Sequence, residues 1–228
     1  MAKYTPLMSD KEIAIRKVWQ EKVYQKLVKI KQEKEVTVLG KKFTILPGVF
    51  APLWGDSILL ARVIKSTIKE NKTVLDLGTG CGIQGIFAAK NGAKVLSVDI
   101  NPKAIKCAKI NAKALGVLQK MRFTKSNIFS NIRGRFDYVI FNPPFRWFKP
   151  RDLLERGELD EDYITLRRFF KSVDKHLTKR GRILIVFSES GDLKYLRQLI
   201  DESGFRITKH KTYAPENWRY HLFELSSD

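Results

Sequence analysis

Asn142, Pro143, Pro144 and Phe145 stand together in the run IFNPPF, and their types suit one kind of chemistry, the gripping of a planar NH2 group while its nitrogen acts as a nucleophile. Such a nitrogen reacts poorly because its lone pair is delocalised into the adjacent π system. The side-chain oxygen of Asn142 and the backbone carbonyl of Pro143 can accept both N–H protons and steer the lone pair outward. These interactions strengthen as positive charge develops on the nitrogen. The prolines stiffen the turn and bring no competing N–H. Phe145 offers a flat apolar face for a base or an amide.

A second constellation lies upstream, in TVLDLGTGCG over Thr73–Gly82. Val74, Leu75 and Leu77 read as a buried strand, and Gly78, Gly80 and Gly82 lead into a helical pattern that begins near Ile83. Glycine allows a tight turn with positive φ and close approach of a ligand to the main chain. The spacing departs from the dinucleotide pattern G-x-G-x-x-G. Asp76, in the strand end, would repel phosphate but can accept a hydrogen bond from a ligand's ammonium. The next strand, Lys94–Asp99, ends on Asp99, about twenty residues past the turn, where a carboxylate in this topology reaches ribose hydroxyls. An ammonium, a ribose and no phosphate describe S-adenosylmethionine.

DLGTGCG, VDIN and NPPF, in that order and each at a strand end, resemble the class I S-adenosylmethionine-dependent methyltransferases, within them the Asn-Pro-Pro-Phe/Tyr subgroup of RNA base and glutamine N-methyltransferases. The resemblance covers roughly Leu46 to the C-terminus. It implies an α/β fold: a doubly wound, mostly parallel seven-stranded sheet with a C-terminal antiparallel hairpin. It also implies cofactor contacts at Asp76, Gly78, Thr79, Gly80, Gly82, Asp99, Ile100 and Asn142. Asn127 would lie beside the adenine ring, and Phe50 and Asp56 would border the methionine part. Asn142, Pro143 and Phe145 would carry the transfer, with no metal.

The subgroup acts on adenine N6 or guanine N2 of nucleic acid, or on the glutamine amide of translation release factors. All present a planar NH2, so the motif does not choose. Phe in the last position looks more like the ribosomal RNA enzymes. Charge points the same way: 43 Lys plus Arg against 24 Asp plus Glu give +19 and a pI near 9.9, a balance that recruits polyanions. The expected substrate is a base of ribosomal or transfer RNA. The alternative is a release-factor glutamine. A non-catalytic RNA-binding protein is a third reading, disfavoured because Asp76, Asp99, Asn142 and Phe145 occur together.

The secondary structure that carries these residues can be read from the rest of the chain. Its 228 residues suit one α/β domain with an extension; we expect the extension at 1–56 and the methyltransferase domain at 57–228. No apolar run is long enough to span a bilayer, and the N-terminus lacks a signal-peptide core, so a cytoplasmic protein is expected; monomer and small homo-oligomer both stay open. Cys81 and Cys107 are too few for a disulfide framework. Cys81 reads as a small packing residue, and cytosine C5 chemistry is disfavoured.

Ser9-Asp10 can cap a helix over 11–31 with apolar Ile13, Ile15, Val18, Trp19, Val23, Leu27 and Ile30. Its basic face, Arg16, Lys17, Lys22, Lys26, Lys29 and Lys31, either meets solvent or meets nucleic acid. A hairpin through Gly40 follows, over 35–39 and 42–46. After a helix at 57–69, strands at 73–77, 94–99, 121–124, 138–141 and 182–187 alternate with helices at 83–91, 102–115, 164–177 and 192–203. The runs 205–213 and 219–225, joined by APENW, must pair antiparallel. The irregular stretch Arg146–Tyr163 is expected to form a loop or lid, its Arg146–Arg156 part facing RNA. His176, His210 and His221 are expected outside the chemistry.

Overall fold

The computed structural model describes residues 3–52, 55–214 and 218–227. It begins with helix α1, Asp10–Val28, whose start is set by a capping box: Ser9 accepts from the Glu12 backbone, and Glu12 reaches back to Ser9. Strands β1, Lys34–Val38, and β2, Lys41–Ile45, form an antiparallel hairpin. Leu39 and Gly40 both take positive φ, the two-residue turn that matches strand twist. Val38, Phe43 and Ile45 are buried in the core, and Asn111 clamps the hairpin by bonding Thr44 N and O. Helix α2, Gly55–Thr67, comes next.

The sheet is built from β3, Thr73–Leu77; β4, Lys94–Asp99; β5, Met121–Lys125; β6, Phe136–Phe141; β7, Leu177–Ser188; β8, Arg206–Tyr213; and β9, Tyr220–Ser226. Their order is β5-β4-β3-β6-β7-β9-β8. The first five in that row run parallel, while β9 is antiparallel to both β7 and β8. This is the expected doubly wound sheet with its antiparallel hairpin. Residues 215–217 of the link APENW, and Leu53 and Trp54, lie outside the described residues. Helices α3, Ile83–Lys90; α4, Pro102–Ala114; α5, Ile164–Ser172; and α6, Leu193–Glu202 flank the sheet. Asn101 caps α4 and Pro102 opens it.

The chain runs outward from β3 through β4 to β5, then returns to place β6 on the other side of β3. That reversal opens a crevice at the carboxyl ends of the strands. The register sets Leu77 opposite both Val98 and Phe141, so the residues after β3, β4 and β6 emerge side by side.

Three expectations change. The buried face of α1 is Arg16, Gln20, Val23 and Leu27, while Ile15 and Val18 are 50% and 59% exposed. Arg16 therefore leaves the basic outer face: its guanidinium donates to the carbonyls of Glu12 and Glu189. The second change is at β7, which begins at Leu177 rather than at Arg182, because Leu177 pairs with Phe136 and a short 3-10 turn, Val173–His176, replaces the end of the expected helix.

The third change concerns Arg146–Tyr163. The stretch is irregular, yet Arg146, Glu155, Glu158 and Asp160 within it are buried. Arg146 donates through Nε to Gln20 Oε1 at 2.8 Å, through one terminal nitrogen to Ser190 Oγ at 3.0 Å, and through the other to Glu158. Its charge faces inward and is unavailable to RNA. The stretch lines the cavity through Pro150, Leu153, Leu154 and residues 156–161, and Arg146 ties its start to the core.

Candidate functional site

At the carboxyl ends of β3, β4 and β6 lies a cavity of about 250 Å³. Asn142, Pro143, Pro144 and Phe145 form one wall, continuing from β6; Gly78, Thr79 and Gly80 form another, continuing from β3. Asp99 and Ile100 close the β4 end, Asn127 the β5 end, and Phe50 and Asp56 stand across from them.

Asn142 is held by Asp56 in the first turn of α2. Its Nδ2 donates to Asp56 Oδ2 at 2.6 Å and lies 3.5 Å from Ser57 Oγ. An ionised carboxylate can only accept, so the nitrogen end of the amide is fixed there and Oδ1 is turned the other way. Oδ1 is buried and has no hydrogen-bond partner. A buried acceptor without a partner is costly, and a ligand N–H would satisfy it. Burial raises the pKa of Asp56, and the hydrogen bond from Asn142 opposes that rise.

The prolyl turn is braced from behind. Phe145 O accepts from Tyr163 OH at 2.7 Å, and Tyr163 OH accepts from Asp192 N at 2.7 Å. A Cβ on Gly191 would stand 2.0 Å from Phe145 O, so only glycine lets the loop after β7 lie against this turn. The Phe145 ring is 8% exposed and packs edge-on against Phe187, with centroids 5.5 Å apart.

In the glycine turn, Gly78, Gly80 and Gly82 have φ of 68°, 55° and 91°. Asp99 pins it, since Oδ2 accepts from Gly80 N at 3.0 Å and Oδ1 from Asn101 N at 2.8 Å. Two expected contacts stand off the cavity wall. Gly82 packs against α4, where a Cβ would come 3.0 Å from Ala108 Cβ. Asp76 sits behind the turn, 1% exposed, and its Oδ2 accepts from Thr79 OH, from Gly85 N at 3.1 Å and from Ser97 Oγ at 3.3 Å. Burial pushes its pKa up to about 6. Through these bonds it stiffens the turn from below.

Asn127 lies at the exposed rim, its Oδ1 3.5 Å from Arg168. Phe50 lines the cavity beneath Gly157, where a Cβ would come 3.0 Å from Phe50 Cβ. Cys81 is also on the wall, and burial raises its thiol pKa far from that of a nucleophile. His210, His221 and Glu189 are linked by hydrogen bonds of 2.9 and 3.0 Å, outside the cavity lining. Among the described residues no group of three or more His, Cys, Asp or Glu could hold a metal ion, and no helix is long and apolar enough to cross a membrane.

Sequence reading missed three contributors. Ser57 was hidden at a helix start. Gly85 is required because a Cβ would fall 2.6 Å from Ser97 Oγ and 2.8 Å from Asp76 Oδ2. Gln84 lines the cavity and is 6% exposed; its one signal was a long polar side chain in the apolar opening of helix IQGIFAAK.

The residues present fit S-adenosylmethionine. The β4 and β5 end offers a carboxylate and an amide for a nucleoside, and Gln84 on α3 offers a buried, unpaired acceptor for an N–H donor.

Among proteins of known name, a candidate protein N5-glutamine methyltransferase of Methanocaldococcus jannaschii is 34% identical over 180 residues, covering 75% of this chain and 88% of its own. A ribosomal RNA small subunit methyltransferase C of a Marinomonas species is 29% identical over 67% of this chain, which spans 43% of that protein. The crystal structure of the T. thermophilus 16S rRNA N2 G1207 methyltransferase, in complex with AdoMet and guanosine, superposes with a TM-score of 0.63 at 22% identity. It covers 85% of this chain and 50% of that one. With residues 40–212 matching the methyltransferase small domain, this chain belongs to that methyltransferase family.

Proposed function

We propose that this protein transfers a methyl group from S-adenosylmethionine to the exocyclic NH2 of an RNA base, adenine N6 or guanine N2 of ribosomal or transfer RNA. One observation carries the reaction type: the unpaired Asn142 Oδ1, oriented by Asp56 beside the prolyl turn. The cofactor supplies an activated sulfonium methyl. Asp99 would accept from its ribose hydroxyls, Asn127 would lie beside its adenine, and Ile100 with Gly78, Thr79 and Gly80 would hold it against the main chain. Phe50 and Asp56 border its methionine part.

Asn142 Oδ1 and Pro143 O would accept hydrogen bonds from the two N–H groups of the substrate amino group and turn its nitrogen lone pair toward the bound methyl donor. No base is needed before transfer, because the proton can leave afterwards. The substrate ring rests against Phe145. Pairing with RNA is supported by the net charge of +19 and by exposed Lys17, Lys22 and Lys26 on α1 and Arg206, Lys209 and Lys211 on β8. A base drawn from a helix would have to flip into the cavity. A cytoplasmic protein, monomeric or a small homo-oligomer, goes with this reading.

A second reading, methylation of a glutamine amide in a release factor, is favoured by the M. jannaschii relative that this chain matches over 88% of its length. Both use the same grip on a planar NH2. Incubation with methyl-labelled cofactor and cell extract, then digestion, separates them. Label removed by ribonuclease supports the RNA reading; label removed only by protease replaces it with the glutamine reading.

A further inference from the structure

We infer that Gln84 is the acceptor for the ammonium group at the amino-acid end of S-adenosylmethionine, the role first expected of Asp76; the inference rests on the cofactor reading above. Asp76 stands behind the cavity wall, its Oδ2 committed to Thr79, Gly85 and Ser97. Gln84 is on the wall. Its Nε2 donates to the Ser57 carbonyl at 3.2 Å. A carbonyl only accepts, so the nitrogen end of this amide is fixed at Ser57 and Oε1 faces elsewhere. Oε1 is buried and has no partner. An acceptor kept unpaired at a 6% exposed residue points to a donor that arrives with a ligand.

Strand order says which part of the ligand that is. Asn127 follows β5, Asp99 ends β4, the glycine turn follows β3 and Asn142 follows β6, in the spatial order β5-β4-β3-β6. A nucleoside placed at Asp99 and Asn127 must send its tail across β3 toward β6. Gln84, Ser57 and Asp56 stand there, and the Asp56 carboxylate adds negative charge to a corner that suits a cation. Asn142 Oδ1, one strand further on, is left for the substrate amino group. An ammonium carries three donors and no acceptor, which this corner of acceptors complements.

The test is calorimetric titration of the full chain and of Gln84→Met, which keeps the length but loses both polar atoms. Three probes are used: S-adenosylhomocysteine, decarboxylated S-adenosylmethionine, which has the ammonium but no carboxylate, and methylthioadenosine, which has neither. The variant should bind the first two about tenfold more weakly or worse, and methylthioadenosine within about twofold of the parent. Retained methylthioadenosine binding also reports an intact cavity. If Gln84→Met fails to fold, Gln84→Leu is read the same way. Unchanged affinity for all three, or equal loss of all three by a folded variant, overturns the assignment. A raised KM for the methyl acceptor alone also overturns it and moves Gln84 to the substrate side. If the parent binds none of the probes, the cofactor reading falls and this inference with it.

Discussion

At the scale of single residues, reactivity depends on which way one amide points. Asn142 could present either end to the cavity, and Asp56 removes the choice by accepting from Nδ2 at 2.6 Å. Asn142→Ala should lower kcat by about 10² to 10³, the range for loss of one transition-state hydrogen-bonding group, while cofactor affinity by calorimetry stays within a few-fold. Asp56→Ala should lower kcat about tenfold or more, since the acceptor remains but can turn away. Equal kcat in Asp56→Ala would separate the two residues.

Asp76 gives a prediction in pH. Its folded-state pKa near 6 is above the ordinary carboxylate value of about 4, so the folded protein holds this proton more tightly than the unfolded chain does. The stability linked to that proton is fully present below about pH 4 and is lost as pH rises through about 6. Burial is the main cause, and Asp99 is the nearby charge that adds to it. Asp76→Asn should therefore lose less stability between pH 4 and 7 than the parent. Parallel urea-unfolding profiles for the two proteins would refute the shift.

At the scale of elements, the N-terminal helix and the catalytic turn are one assembly. Arg146 follows Phe145 directly and bonds Gln20 of α1, Ser190 after β7 and Glu158 of its own loop. Gln20 also donates to Glu155 at 2.9 Å, which ties α1 to the loop a second time. A buried pair adds little over an apolar replacement, yet breaking it leaves an uncompensated charge. Arg146→Met should cost about 3 kcal/mol in urea unfolding, and adding Glu158→Leu should recover most of that loss. If the double variant is no more stable than the single one, Glu158 is not the stranded charge. The prolyl turn is also pressed by the Gly191 backbone and held by Tyr163, so three segments distant in sequence set its carbonyls.

At the scale of the whole molecule, the charge excess produces a long-range field, and the structure decides which cations reach solvent. Arg16 and Arg146 are withdrawn into the core, whereas Lys17, Lys22 and Lys26 remain exposed on α1. Reversing these three lysines to glutamate should weaken binding to bulk RNA. It should also make the log-affinity against log-salt slope shallower by about two or more, given roughly 0.7 to 0.9 per phosphate contact. A slope equal to the parent's would show that RNA meets another face.

The glycine turn, the two strand-end carboxylates and the NPPF run could be read without coordinates because each is local: backbone sterics and strand periodicity act over a few residues. The alternation of β and α likewise predicted the parallel sheet, and the short link APENW its terminal hairpin. What lay beyond such reading was the direction of side chains whose partners are far away in sequence. Gln20 and Arg146 are 126 residues apart, and Asp56 and Asn142 are 86 apart. Hence a helix face that looked basic conceals Arg16, and Arg146 became a buried brace. Asp76 turned out to face the underside of the turn and Gln84 the cavity, because burial and hydrogen-bond satisfaction are set by packing across the whole sheet, not by neighbours along the chain.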